Sequence, residues 1–226
     1  MKKSPYEINV EKLFSGARVR KFPKNQIVYY QGDLLTQVYL VKEGHLKAYT
    51  ILDSGDTRTI LLLSPGDIFP LTFSVTLDWE KYRTKHFYQT LTPTTLEALE
   101  VSQLKERVDN NPTMMETYLN YLAASNQTVI NQLEIMKNKK AIDKIEFLLP
   151  YLVMKLADKI GPNTYRLRIR ISHQEFADLC GVTRETTTAL IKQLERAKIL
   201  DQSSGHWILH VDKLGGPFEE DYKYSE

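Results

Sequence analysis

The sequence predicts an α+β chain: an N-terminal double-stranded β-helix (jelly-roll) barrel, one long helix, and a C-terminal winged helix-turn-helix. Three observations predict it. Turn signals punctuate residues 24–101 at short intervals, a four-three apolar spacing takes over after Asn111-Pro112, and two capped helical stretches meet at Gly181. The expected boundaries are a β-barrel over 1–110, a long helix over 111–138, a winged helix-turn-helix over 139–216 and an acidic tail over 217–226.

In the first part, Val38, Leu40, Leu46, Ala48 and Thr50 alternate with polar or aromatic positions, as half-buried strands require. The turns are Gln31-Gly32-Asp33, Glu43-Gly44, Asp53-Ser54-Gly55-Asp56 and Ser64-Pro65-Gly66-Asp67. Short strands between evenly spaced glycines suit a barrel or jelly roll. Any β-sandwich shares this composition.

The long helix opens at Asn111-Pro112, with the proline suited to a first helical turn. Met115, Leu119, Leu122, Asn126, Val129, Leu133 and Met136 follow at alternating steps of four and three, a heptad seam over three repeats. Asn126 takes an a-type position, where a buried asparagine favours a parallel, in-register pair of helices. The same stripe suits a helix packed on its own barrel, and one helix can do both. A second amphipathic helix is expected over 140–158, on Ile142, Ile145, Leu148, Leu149, Leu152 and Leu156. Pro150 should kink or split it, and Gly161-Pro162-Asn163 should end it.

The stretch Ile171 to Val211 is the most specific. Ser172-His173-Gln174-Glu175 is a capping box opening a short helix to Cys180. Gly181 ends that helix, Val182 pins the turn, and Thr183 caps a helix from Arg184 to Ala197. Two helices so closely joined make a helix-turn-helix. The second begins Arg184-Glu185-Thr186-Thr187-Thr188, a first turn of donors, an acceptor and methyl groups. Arginine can bond guanine O6 and N7, glutamate can accept from cytosine N4, and a threonine methyl can touch a thymine methyl. A polar helix face with a good cap is the plainer reading, but three β-branched threonines are poor helix material. Arg166, Arg168 and Arg170 alternate just before, as phosphate anchors or a solvated strand face. Ser203-Ser204-Gly205 turns a hairpin into Trp207, Ile208, Leu209 and Val211, the expected wing.

Composition agrees with a globular protein: 226 residues, 42% hydrophobic and 26% charged. The net charge of +2 conceals a local excess, since residues 139–216 carry 13 Lys and Arg against nine Asp and Glu. The excess suits a polyanion partner. Cys180 is the single cysteine, so neither an internal disulfide nor a cysteine-ligated cluster is available. The opening MKKSPYEINVEKLF has no apolar stretch of the signal-peptide kind, and no apolar run nears the roughly 20 residues of a membrane span. A cytoplasmic protein with no membrane partner is expected. A cupin-like catalyst would need clustered histidines and carboxylates, whereas His45 and His86 stand alone in the barrel. No nucleophile motif or phosphate-binding loop is present, so no enzyme is expected.

With these residues in view, the chain resembles the family of the cyclic-AMP receptor protein and the fumarate–nitrate reduction regulator (Crp/Fnr), over about residues 14–211. Gln31-Gly32-Asp33, Val38-Tyr39-Leu40-Val41 and Glu43-Gly44 resemble its first barrel strands, and Leu63 to Phe69 the approach to its ligand loop. Asn111-Pro112 resembles the start of its dimer helix, and Val182-Thr183-Arg184-Glu185-Thr186 its recognition helix. The resemblance implies a cyclic-nucleotide-binding-like barrel and a homodimer whose barrel senses a small molecule and resets the DNA-binding domains through the long helix. It implies double-stranded DNA with a palindromic operator, a second copy of the chain, and RNA polymerase as partners. Arg184, Glu185 and Thr188 would read bases, including a G·C pair in each half-site, with Thr183, Thr187, Ser172 and His173 as further contacts. Phe69, Leu71, Arg83, Lys85, His86, Val129 and Ile130 would line the effector pocket.

Departures from the family pattern argue against its known cofactors. Phe69-Pro70-Leu71-Thr72-Phe73 stands where cyclic-nucleotide members have Gly-Glu, and Lys85-His86-Phe87-Tyr88 near their Arg-Ser. Val129 and Ile130 replace the polar pair that meets the purine, so cyclic AMP is not expected. One cysteine excludes the iron–sulfur chemistry, and two separate histidines argue against haem. The alternatives to a ligand-gated regulator are a cyclic-nucleotide-like ligand-binding module and a regulator that needs no effector. Ala189 or its neighbours stand where many members carry a further arginine, which leaves base readout mainly to Arg184, Glu185 and Thr188.

Overall fold

The computed structural model describes residues 10–70, 81–137, 141–202 and 204–213, in two compact units, of which the second takes Thr57–Thr59 together with the residues after Val129. The first unit is built on two four-stranded antiparallel sheets. One has the order β1 (Arg18–Phe22), β8 (Thr94–Glu100), β3 (Gln37–Glu43), β6 (Ile68–Phe69). The other runs β2 (Ile27–Tyr29), β7 (Phe87–Thr90), β4 (Leu46–Ile51), β5 (Thr57–Leu63). Apart from β4 and β5, neighbours in each sheet are not consecutive in sequence, as in a jelly roll. Val38, Leu40, Leu46 and Ala48 are buried, as their alternation predicts.

Tyr39 and Val41 on β3 are buried as well, so this strand is covered on both faces. Tyr39 packs on Tyr29 of the other sheet, ring centroids 5.8 Å apart, and a 3-10 turn, Val10–Phe14, with α1 (Val101–Asn110), brings Leu13, Phe14, Val101, Leu104 and Val108 into the same core. Helix α1 is not among the sequence expectations. Its signal is the i, i+3, i+7 spacing of those three apolar residues, hidden because it follows β8 without a glycine or proline.

Helix α2 spans Pro112–Lys137. Asn111 starts it, its Oδ1 accepting from Thr113 N at 3.0 Å and Met114 N at 3.2 Å. Tyr118 and Tyr121 are buried and Met115 and Leu122 half-buried against the barrel core. The Tyr121 hydroxyl accepts from the backbone N–H of Ile68 at 2.7 Å. Leu119 and Val129 are 55% and 40% exposed, and Asn126 is exposed with them. The heptad seam thus has two sides in a single chain: one on the barrel and one uncovered.

In the second unit, α3 (Ala141–Leu156) continues through Pro150, so the proline does not split it. A proline removes one helical hydrogen bond, and here Leu148, Leu149, Tyr151 and Leu152 on either side are buried. The helix stops at Leu156, before the expected end. Ala157–Gly161 form β9, and Gly161-Pro162-Asn163 turn a hairpin into β10 (Thr164–Leu167) rather than ending a helix. Asn163, at φ +53°, takes the left-handed conformation in that turn. The sheet continues with β12 (Ile208–His210) and β11 (Leu200–Asp201), in the order β11-β12-β10-β9.

Candidate nucleic-acid interface

Helices α4 (His173–Cys180) and α5 (Arg184–Arg196) form the predicted helix-turn-helix. The capping box at α4 is complete: Glu175 N donates to Ser172 Oγ at 3.1 Å, and Ser172 N donates to Glu175 Oε2 at 2.7 Å. Gly181 closes the helix at φ +64°, its N–H donating to Ala177 O at 2.8 Å. A side chain is strained in that conformation, which is why glycine stands there. Thr183 then caps α5, Thr186 N donating to its Oγ1 at 3.2 Å. Phe176 packs on Trp207 with ring centroids 5.0 Å apart, which fixes α4 against the wing hairpin.

The 100° turn per residue sorts the side chains of α5. Thr187, Ile191 and Leu194 make the buried stripe. Arg184, Glu185, Ala189 and Lys192 are exposed, with Thr188 half-exposed among them. Of the predicted contacts, Thr183, Ser172, Arg184 and Glu185 are exposed and Thr188 and His173 half-exposed. Thr187 is a correction: it has no exposed surface and faces the interior, so it cannot meet a base edge from this conformation. Its i, i+4, i+7 relation to Ile191 and Leu194 carries that signal. Lys192 is not among the predicted contacts, yet Arg184, Thr188 and Lys192 follow at i, i+4 and i+8, one stripe of the outward face.

Glu185 is held below the usual carboxylate range by its own backbone N–H, then by the Thr183 hydroxyl and the Arg184 charge. It is therefore ionised and a pure acceptor at neutral pH. His173 Nδ1 lies 3.1 Å from Thr188 Oγ1, and Thr188 Oγ1 donates to Arg184 O at 3.0 Å. Three residues of the predicted set are thereby joined in one hydrogen-bonded chain. The face has cations for phosphates, an acceptor, and methyl groups, the chemical inventory of base-edge readout. Arg166 and Arg170 are exposed, while Arg168 Nε donates to Asp158 Oδ1 at 2.9 Å.

The predicted effector residues are less united. Phe69 is buried and stacked between Tyr39 and Tyr88, at 5.4 and 5.1 Å between centroids. Leu71 lies outside the described residues. Arg83 donates to Gly32 O at 2.9 Å, and Lys85 is exposed. His86 is half-buried and kept neutral by burial, then by the adjacent Lys85 charge; its Nδ1 has no hydrogen-bond partner among the described residues. Val129 and Ile130 are exposed on α2. Of the predicted helix seam, the side chains of Leu133 and Met136 lie outside the description.

Comparison with known proteins agrees with both units. A cyclic nucleotide-binding domain family matches residues 19–110, and a Crp-like helix-turn-helix domain family matches residues 146–215. A global nitrogen regulator of Synechococcus elongatus is 24% identical over 188 residues, covering 81% of each chain. The HTH-type transcriptional regulator ArcR of Staphylococcus haemolyticus is 26% identical over 191 residues, covering 84% of this chain and 82% of its own. The structure of FixK2 from Bradyrhizobium japonicum shares the fold, with a TM-score of 0.73 at 18% identity over 88% of this chain and 98% of that one. Barrel, long helix and capped helix-turn-helix, in this order and with these relatives, make the chain a member of the Crp/Fnr family of DNA-binding transcription regulators.

Proposed function

We propose that the chain works as a homodimer that binds a palindromic operator, inserting α5 of each copy into successive major grooves on one side of the duplex. The observation that carries this reading is the outward face of α5, where Arg184, Glu185, Thr188 and Lys192 gather while Thr187, Ile191 and Leu194 hold the helix from behind. Arg184 reads guanine, Glu185 accepts from cytosine N4, and the flanking Thr183, Ser172 and His173 lie beside the phosphates. Two-fold symmetry of the protein sets half-sites one helical turn apart, about 34–36 Å. The uncovered Leu119, Asn126 and Val129 of α2 support parallel pairing with a second copy.

The barrel gates this activity by taking a small molecule other than cyclic AMP. A phosphodiester calls for a paired cation and oriented N–H donors. Among the described residues, Phe69 is committed to an aromatic stack, Arg83 donates to a backbone carbonyl, and Val129 and Ile130 offer no polar group to a purine. Those residues do not fit a cyclic nucleotide. RNA polymerase is the further partner, and the cytoplasm the compartment. No described helix is long and apolar enough to cross a membrane.

Selection of bound sequences from random duplexes, with native mass spectrometry of the protein, tests the reading. The expected result is a palindrome with half-sites one turn apart and a mass of two chains. A single chain that holds all duplexes equally contradicts it.

A further inference from the structure

We propose that His173, on the first helix of the motif, decides which group Thr188 shows to the groove, so that Thr188 reads a thymine by its methyl rather than any base by its hydroxyl. The proposal rests on the reading that α5 enters the major groove. A threonine hydroxyl has one proton and two lone pairs. The Thr188 proton goes to Arg184 O, 3.0 Å away in the preceding turn. The contact of 3.1 Å with His173 Nδ1 must then be a hydrogen bond from the imidazole, which makes His173 the Nδ1–H tautomer. Between them the two partners hold the hydroxyl against the protein side of the helix.

The rest of the Thr188 side chain is its methyl. Thr188 sits on the outward stripe between Arg184 and Lys192 and is half-exposed, so the methyl is the group left for a base. The thymine C5-methyl is the one apolar feature in the major groove and the natural partner. The geometry thus makes His173 a positioning residue: it fixes the orientation of a neighbour on another helix. His173 is itself placed by the capping box, since Ser172 is locked to Glu175 by reciprocal hydrogen bonds one residue before it. The chain of cause runs from a helix cap, through an imidazole, to the group that touches DNA.

Two measurements test this. The first is ¹⁵N–¹H correlation of the imidazole of His173 in the free protein, at a pH well above the ordinary histidine pKa. The expected pattern is the Nδ1–H tautomer, and an Nε2–H pattern overturns the proposal without touching the reading of α5. The second is a scan of the selected operator in which deoxyuridine replaces each thymine in turn, removing only a methyl. One thymine per half-site should stand out, with affinity falling about fourfold per half-site, the worth of one buried methyl. Thr188→Val keeps the methyl and should keep that sensitivity, whereas Thr188→Ser should abolish it. His173→Asn retains an N–H donor and should preserve it; His173→Leu should lose it. A scan in which no thymine stands out, or one whose pattern survives Thr188→Ser or His173→Leu, overturns the proposal. If the operator is still selected in that case, the major-groove reading stands. If no duplex is selected at all, that reading fails too, whatever the tautomer.

Discussion

Thr187→Val should make the second unit more stable and leave DNA binding alone. Thr187 has no exposed surface, and its Oγ1 has no hydrogen-bond partner among the described residues. Valine has the same β-branched shape, so the swap exchanges a hydroxyl for a methyl. A buried hydroxyl without a partner costs about 1–3 kcal/mol, and the added methyl contributes by burial. Taking the lower part of that range, the gain is roughly 1–2 kcal/mol. For a unit of this size the melting midpoint should rise by about 4 °C at the least. Trp207 packs on Phe176 of α4, so its fluorescence reports this unit once Trp79→Phe removes the other tryptophan. Operator affinity should be unchanged. A lower midpoint would mean that the hydroxyl does have a partner. A stable variant with weakened operator binding would mean that Thr187 reaches DNA, and the assignment of the two faces of α5 would be refuted.

The proposed dimer and the helix caps give further expectations. Leu119→Lys places a charge on the uncovered side of α2, where the side chain is 55% exposed in the single chain. The fold should survive while dimer dissociation becomes easier by about 100-fold or more, since two leucines lose burial worth about 1.5–3 kcal/mol each; sedimentation velocity across a dilution series measures this. Ser172→Ala removes the acceptor for Glu175 N, and Thr183→Ala the acceptor for Thr186 N. Each should lower the stability of the second unit by about 1 kcal/mol in denaturant titration. Equal stability in either variant would mean that the cap contributes nothing.

The helix-turn-helix was legible in the sequence because its signals are local. A capping box, a left-handed glycine and a second cap each act within a few residues, and all three stand where they were expected. The β-strands were legible through alternation and turn residues. What escaped depended on neighbours far along the chain. Tyr39 and Val41 on β3 read as the outer side of a strand, yet both are buried, and Tyr39 packs on Tyr29 of the other sheet and on Phe69, ring centroids 5.8 and 5.4 Å apart. Pro150 reads as a helix breaker, but buried leucines on both sides stand in an unbroken helix. Thr187 was grouped with its polar neighbours by composition, although its period places it with Ile191 and Leu194. The hydrogen bond between His173 and Thr188 spans 15 positions and two helices, and no spacing rule announces it.

The central claim is that Arg184, at the start of α5, distinguishes bases in each half-site. Equilibrium titration of Arg184→Ala against the selected operator, and against operators substituted at each position, measures it most directly. The predicted loss is about 1–3 kcal/mol per half-site, with base preference relaxed at one position and retained at the others. An Arg184→Ala protein that binds the operator as tightly as before, with its preference at every position intact, contradicts the account.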